Sequence, residues 1–253
     1  GGSGKTTLTQ LMASGALAQD KRVHMVDGDA DQQLIGWQDQ AMKADYGKLS
    51  PLPWPDTLTV SSPPPSIEEL YDQIVGLEND GVDYLFIDTR PGEHAATEDL
   101  ILAADIVLIP VRPVQSDFLT AQRTVAWLAR ILATLASGEP APRVAAALVD
   151  ADKKARDYLT AVSEAARNRA AEKAHAQDLE VYQVVKLLPL LSTPIPTSTM
   201  MQRMPVSGPL TYTRDMYAQD PTRAFQVGHV QHAIDVSISF LNDLAAELER
   251  KVG

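Results

Sequence analysis

The sequence opens on Gly1-Gly2-Ser3-Gly4-Lys5-Thr6-Thr7, a run whose residue types and order fit the task of holding phosphate. Glycines let backbone N–H groups come close to an anion, and a helix starting directly after them turns its positive end toward it. Lys5 would reach the β- and γ-phosphates of a nucleoside triphosphate, and Thr6 would offer its hydroxyl to Mg²⁺. Gly1, Gly2, Ser3, Gly4, Lys5, Thr6 and Thr7 are therefore the expected nucleotide-binding residues. The bland alternative is a Gly-rich linker, and a helical pattern at the spacing such a cradle requires speaks against it. Asp27-Gly-Asp29, 22 residues beyond Lys5, and Asp88 each end an apolar run. Carboxylates at the C-terminal edge of parallel strands sit where open α/β sheets place their chemistry.

These residues need a frame. Leu8, Leu11, Met12, Gly15, Ala16 and Leu17 predict a helix over Lys5–Gln19 with one apolar stripe, and Arg22–Asp27 reads as a buried strand. Proline punctuates residues 50–65, leaving room for a short strand at Thr57–Val60, and Ser66 with Glu69 forms a capping box for the next helix. Tyr84–Asp88 and Asp105–Val111 are short, continuous apolar runs, the pattern of parallel strands covered on both faces. A helix (116–136), a strand (Arg143–Val149), a charged Ala-rich helix (Asp152–Ala176) and a further strand (Leu179–Leu187) continue the alternation. Residues 188–221 read as loop, and a terminal helix spans Val230–Lys251. Repeated β-then-α predicts an α/β fold with a doubly wound, mostly parallel sheet flanked by helices, in a single domain over 1–253.

Composition narrows the function classes. The chain has 253 residues, 45% of them hydrophobic and 22% charged, which is ordinary globular usage. It contains no Cys, excluding disulfides, thiolate nucleophiles and Cys-bound zinc. The net charge of −11 argues against nucleic-acid binding through the overall field. The acid is uneven: residues 1–111 carry 6 Lys and Arg against 18 Asp and Glu, the remainder 16 against 15. A polyanion such as DNA would meet the second half. No run is long enough to span a bilayer and no leader peptide opens the chain, so a cytoplasmic protein without membrane attachment is expected.

GGSGKTT resembles the tail of the deviant Walker A motif, KGGxGKT[TS], of the ParA/MinD family of P-loop ATPases. The family's signature lysine, which reaches across a nucleotide-sandwich dimer, would precede Gly1, as would the strand leading into the motif. The sequence is thus expected to begin inside the motif, lacking the first strand of a P-loop NTPase fold. Ile87-Asp-Thr-Arg-Pro-Gly92 resembles the family's Walker B segment hhhDTPPG, and Ala103-Ala-Asp-Ile-Val-Leu-Ile-Pro-Val-Arg-Pro113 its xADxVLIPVxP. Arg90 in place of a family proline, with Lys21-Arg-Val23 and Trp37, brings the chain nearer to the Vir-type ATPases of conjugal T-DNA transfer than to plasmid-partition ParA proteins.

The resemblance implies that Lys5, Asp29 and Asp27 are catalytic. Asp29 would orient the attacking water and Asp27 would support it, although sliding the DxD motif by two makes Asp29 and Asp31 the pair. Thr6 and Asp88 would hold Mg²⁺ beside ATP. The implied function is an ATP-dependent homodimerising switch for plasmid partition or conjugal DNA transfer, with a ParB-like or relaxosome-type stimulating partner. A nucleotide-binding scaffold with little hydrolysis, and a P-loop enzyme acting on a small molecule, are the alternatives. Pro189–Pro209 is either an adenine-pocket wall, as in relatives, or a surface loop. Lys153, Lys154, Arg156, Arg167, Arg169 and Lys173 make a mildly basic helix face, read first as solvated surface and second as a DNA contact. His229 and His232 lack a nearby carboxylate and read as surface residues rather than metal ligands.

Overall fold

The computed structural model describes residues 4–45, 47, 49–90, 92, 95–136 and 138–250; Gly1, Gly2 and Ser3 of the expected cradle lie outside them. Five strands, β1 (Val23–Gly28), β2 (Leu58–Ser61), β3 (Tyr84–Thr89), β4 (Ile106–Val111) and β5 (Arg143–Leu148), pair in parallel throughout. Parallel pairing needs long crossovers. The helices α1 (Lys5–Leu17), α2 (Trp37–Lys43), α3 (Ile67–Asn79), α4 (Ala95–Leu102) and α5 (Gln115–Leu132) alternate with the strands along the chain. After β5 come α6 (Lys153–Leu159), α7 (Glu164–Ala171), α8 (Ala176–Val185), α9 (Thr199–Ser207), α10 (Leu210–Ala218), a 3₁₀ turn (Pro221–Arg223) and α11 (Ala224–Glu249). Among the described residues no helix is long and apolar enough to cross a membrane.

The chain divides into two compact units. One comprises Lys5–Gly92 and Ser198–Leu241. Its sheet has the order β2-β1-β3, and α1 packs on β1 and β3. The core joins Leu8, Leu11 and Met12 of α1 to Val23, Met25 and Val26 of β1 and to Met204, Met216 and Ile234 of the later helices. Two polar contacts fasten those helices. Ser14 Oγ donates to the Gln10 carbonyl (2.9 Å) and accepts from the Leu210 N–H (3.1 Å), serving an amide at the start of α10 whose own cap, Pro209, has no donor or side-chain oxygen. Trp37, fully buried, donates its indole N–H to the Met204 carbonyl (2.5 Å) and meets Trp54 edge-on at 5.6 Å.

The other unit comprises Gly1–Gly4, Glu93–Thr197 and Asn242–Gly253. Here β4 pairs with β5. Ile109, Val111, Trp127, Leu128 and Ile131 close one core, and Phe118, Leu148, Tyr158, Tyr182 and Val185 another.

Three sequence expectations change. The strand expected at Leu179–Leu187 is the helix α8, because Tyr182 and Val185 sit one turn apart and both bury against α6 residues. Strand pairing comes later instead, where Leu190 and Pro196 bridge Ala146 and Ala151 in parallel. Pro189, Pro194 and Pro196 have no N–H to give, which breaks this run into isolated bridges. The single helix expected over Asp152–Ala176 is two, since Ser163 takes an extended backbone and caps α7 through the Ala166 N–H. The loop expected over 188–221 contains α9 and α10. Met201, Met204, Leu210 and Met216 carry their apolar pattern, and Ser198 caps α9.

Candidate functional site

The head of α1 follows a glycine. Gly4, the residue before it, has φ of +86°, a backbone that side chains disfavour. A Cβ there would stand an ordinary 3.7 Å from Val149, so conformation rather than space demands the glycine. The first turn of α1 carries no acidic residue of its own. Lys5 and Thr6 occupy this turn, both half-buried. Thr6 Oγ1 donates to Asp88 Oδ2 at 2.5 Å, tying the helix head to the end of β3 across 82 positions of sequence.

The parallel register puts Asp27 of β1 beside Asp88 of β3, and Gly28 beside Thr89. Both carboxylates are 2% exposed. The strands converge so closely here that a Cβ on Gly28 would lie 2.7 Å from the Asp88 carbonyl oxygen, a clash with backbone that nothing relieves. Burial pushes the Asp88 carboxyl up to about 6, against the pull of the Thr6 hydroxyl and the Lys5 charge, while Asp27 and Asp29 push it further upward.

Asp27 lives differently. Its Oδ2 accepts from the backbone N–H groups of Leu34 (2.8 Å) and Ile35 (3.0 Å), and its Oδ1 from that of Asp29 (3.2 Å). Three amide donors satisfy the charge and bind the whole 28–35 loop to the strand end. Asp29 rides on this loop, half-buried, and Asp29 Oδ1 accepts from the Asp31 N–H (3.2 Å). Asp31 is exposed. The loop runs into α2, which begins at the buried Trp37.

Of the residues expected from the sequence, the structure brings Lys5, Thr6, Asp27 and Asp88 together with the Asp29 loop at one end of the β1–β3 pair. Sequence reasoning missed the amides of Leu34 and Ile35 and the anchoring of Trp37 to Met204. A lone Trp after a polar turn was the available signal. Pro189–Pro209 resolves into the extended run beside β5 and the whole of α9. His229 packs edge-on against Phe225, with ring centres 4.3 Å apart.

Two hard oxygen donors, a hydroxyl and a carboxylate, thus meet at the end of a strand beside a helix N-terminus. A divalent cation fits them: it favours oxygen ligands, and its charge is what a buried carboxylate with a raised pKa lacks. Among the described residues no group of three or more His, Cys, Asp or Glu is placed to hold a metal. A cation here would take few protein ligands and complete its shell with water and phosphate oxygens, as Mg²⁺ does.

Known proteins bear out this frame. In Pyrococcus furiosus the cell division ATPase MinD superposes with a TM-score of 0.54, at 16% identity over 96% of this chain and 95% of that one. The pnob8 ParA does so with a TM-score of 0.55, at 17% identity over 98% and 96%. The fold is that of the MinD and ParA P-loop ATPases. In sequence, protein virC1 of Rhizobium radiobacter is 32% identical over 113 residues, a stretch covering 44% of this chain and 44% of that relative. The VirC1 protein family profile matches residues 1–250. With a MinD/ParA fold, and a family match running over residues 1–250, the chain belongs to the VirC1 family.

Proposed function

We propose that this protein binds and hydrolyses MgATP and uses the cycle as a dimerisation switch in DNA transfer or partition. The observation that carries this reading is the contact of Thr6 with the buried Asp88 at the head of α1, beside Lys5. Lys5 neutralises phosphate charge, and Thr6 and Asp88 hold Mg²⁺, which supplies charge compensation on the phosphates when bound. Asp29 orients the water that attacks the γ-phosphate. Asp27 acts through Asp29: its three amide contacts fix the loop on which Asp29 sits. The likeness to the MinD and ParA ATPases supports the nucleotide and the dimer. The VirC1 membership, with the acid concentrated in residues 1–111, supports service to a DNA-processing complex that meets the second half of the chain through DNA or a stimulating partner protein.

Calorimetry and turnover test it. Lys5→Ala should abolish the heat of MgATP binding. Asp29→Ala should bind normally, lower turnover by about 100-fold or more, and accumulate a nucleotide-bound dimer in sedimentation. Turnover at the parent rate in Asp29→Ala would remove Asp29 from the mechanism, and normal binding by Lys5→Ala would remove the cradle.

A further inference from the structure

An open cleft of about 490 Å³ lies between the loop after β2 and helix α3, lined by Ser62, Pro64, Pro65, Glu69, Asp72 and Gln73. Its chemistry is mostly accepting, the Ser62 hydroxyl being the exception. Prolines offer no N–H, the two carboxylates only accept, and Gln73 has its donor engaged: Nε2 donates to Ser61 Oγ at 3.1 Å and lies 3.3 Å from His24 Nε2. The Gln73 amide oxygen is buried without a hydrogen-bond partner. Helix α3 carries Glu68, Glu69, Asp72 and Glu78 and no basic residue. No ion pair among the described residues engages any of the four. On the same helix Tyr71 and Val75, one turn apart, are 51% and 55% exposed, an apolar strip bordered by these acids.

We infer that this face of α3 docks a basic, amphipathic segment of a partner protein, with an arginine side chain in the cleft and an apolar side chain on Tyr71 and Val75. Charge complementarity selects the occupant. An acceptor-lined cleft wants a donor-rich cation, and a guanidinium supplies five N–H groups in a plane that fits between carboxylates and proline walls. The apolar strip beside it asks for a side chain that a polyamine or a metal ion does not have, and four unpaired acids repel nucleic-acid phosphate. The inference does not depend on the proposed nucleotide chemistry.

The test is fluorescence anisotropy of a dye-labelled synthetic peptide of alternating leucine and arginine, titrated with the whole protein at low salt. The Glu69→Lys/Asp72→Lys protein should bind the peptide roughly tenfold more weakly, and Tyr71→Ser/Val75→Ser roughly fivefold. A charge-matched control, Asp39→Lys/Asp235→Lys, should bind as the parent does. These positions are at the surface, and circular dichroism melts confirm that each variant is folded. The inference is overturned if the control loses as much affinity as the cleft variant, which leaves only net-charge attraction, or if the Tyr71→Ser/Val75→Ser protein binds unchanged, which removes the amphipathic partner.

Discussion

The ladder of β1 and β3 and the ladder of β4 and β5 share one geometry and bury different things. The first buries His24, Asp27 and Asp88. The second buries Ile109, Val111, Ala145, Ala146, Ala147 and Leu148, and just beyond the end of β4 Arg112 pairs bidentately with Asp117 at 2.8 and 3.0 Å. That pair holds the Asp117 carboxyl below its ordinary range and raises Arg112. Asp88 has no such relief: its carboxyl rises because desolvation outweighs the help of Thr6 and Lys5. A strand end that keeps an ionisable group at the expense of its own stability is a place where a ligand is expected to supply the missing charge.

The contrast is open to attack from both sides. The largest effect is expected in the apolar ladder, where Leu148→Ala should lower unfolding free energy by about 3 kcal/mol in urea titrations at every pH. A loss below about 1 kcal/mol would mean that this ladder is not held by packing.

The next effect has the opposite sign. Asp88 in the ligand-free fold has a carboxyl raised from 3.8 to about 6, so the fold holds that proton more tightly than the unfolded chain does. Its favourable contribution is complete below pH 3.8 and disappears as the pH rises through about 6. Asp88→Asn cannot ionise and should therefore be the more stable protein above that range, by up to about 3 kcal/mol, and no more stable below pH 3.8. Urea titrations at both ends of the range decide it, and a variant that is less stable at neutral pH removes the contrast.

The smallest effect belongs to His24, whose ring lies between Thr59 Oγ1 (2.7 Å) and Ser61 Oγ (2.9 Å) and whose pKa burial lowers from 6.5. Stability should fall as the pH drops below 6.5, because the unfolded chain takes up the proton first. His24→Asn should flatten that limb, measured as the melting temperature against pH, and an unaltered slope would place the acid sensitivity elsewhere.

Much of this was legible before any coordinates. Glycine, Lys5 and Thr6 ahead of an apolar stripe specify the start of a helix, and short apolar runs ending in Asp specify strands with a carboxylate near the end. The sequence could not say how those Asp residues would differ. Asp27 and Asp88 look alike in one dimension, and only the folded chain brings three amides to the first and a hydroxyl to the second. The run Glu180-Val-Tyr-Gln-Val-Val185 misled because β-branched residues favour strands locally, while burial of Tyr182 and Val185 on one side settled the matter through contacts far away in sequence. Prolines hid α9 in the same way: Pro205 sits within that helix, where local preference would forbid it.

The unit that carries Lys5, Thr6 and Asp88 is assembled from two stretches of chain separated by more than a hundred residues. Ser14 waits for Leu210, and Trp37 for Met204. During vectorial synthesis the ribosome therefore releases the cradle helix long before its clamps exist, and the intervening segment is free to fold first. Helix α1 thus leaves the ribosome unanchored, and its packing is completed only once α9 and α10 have emerged.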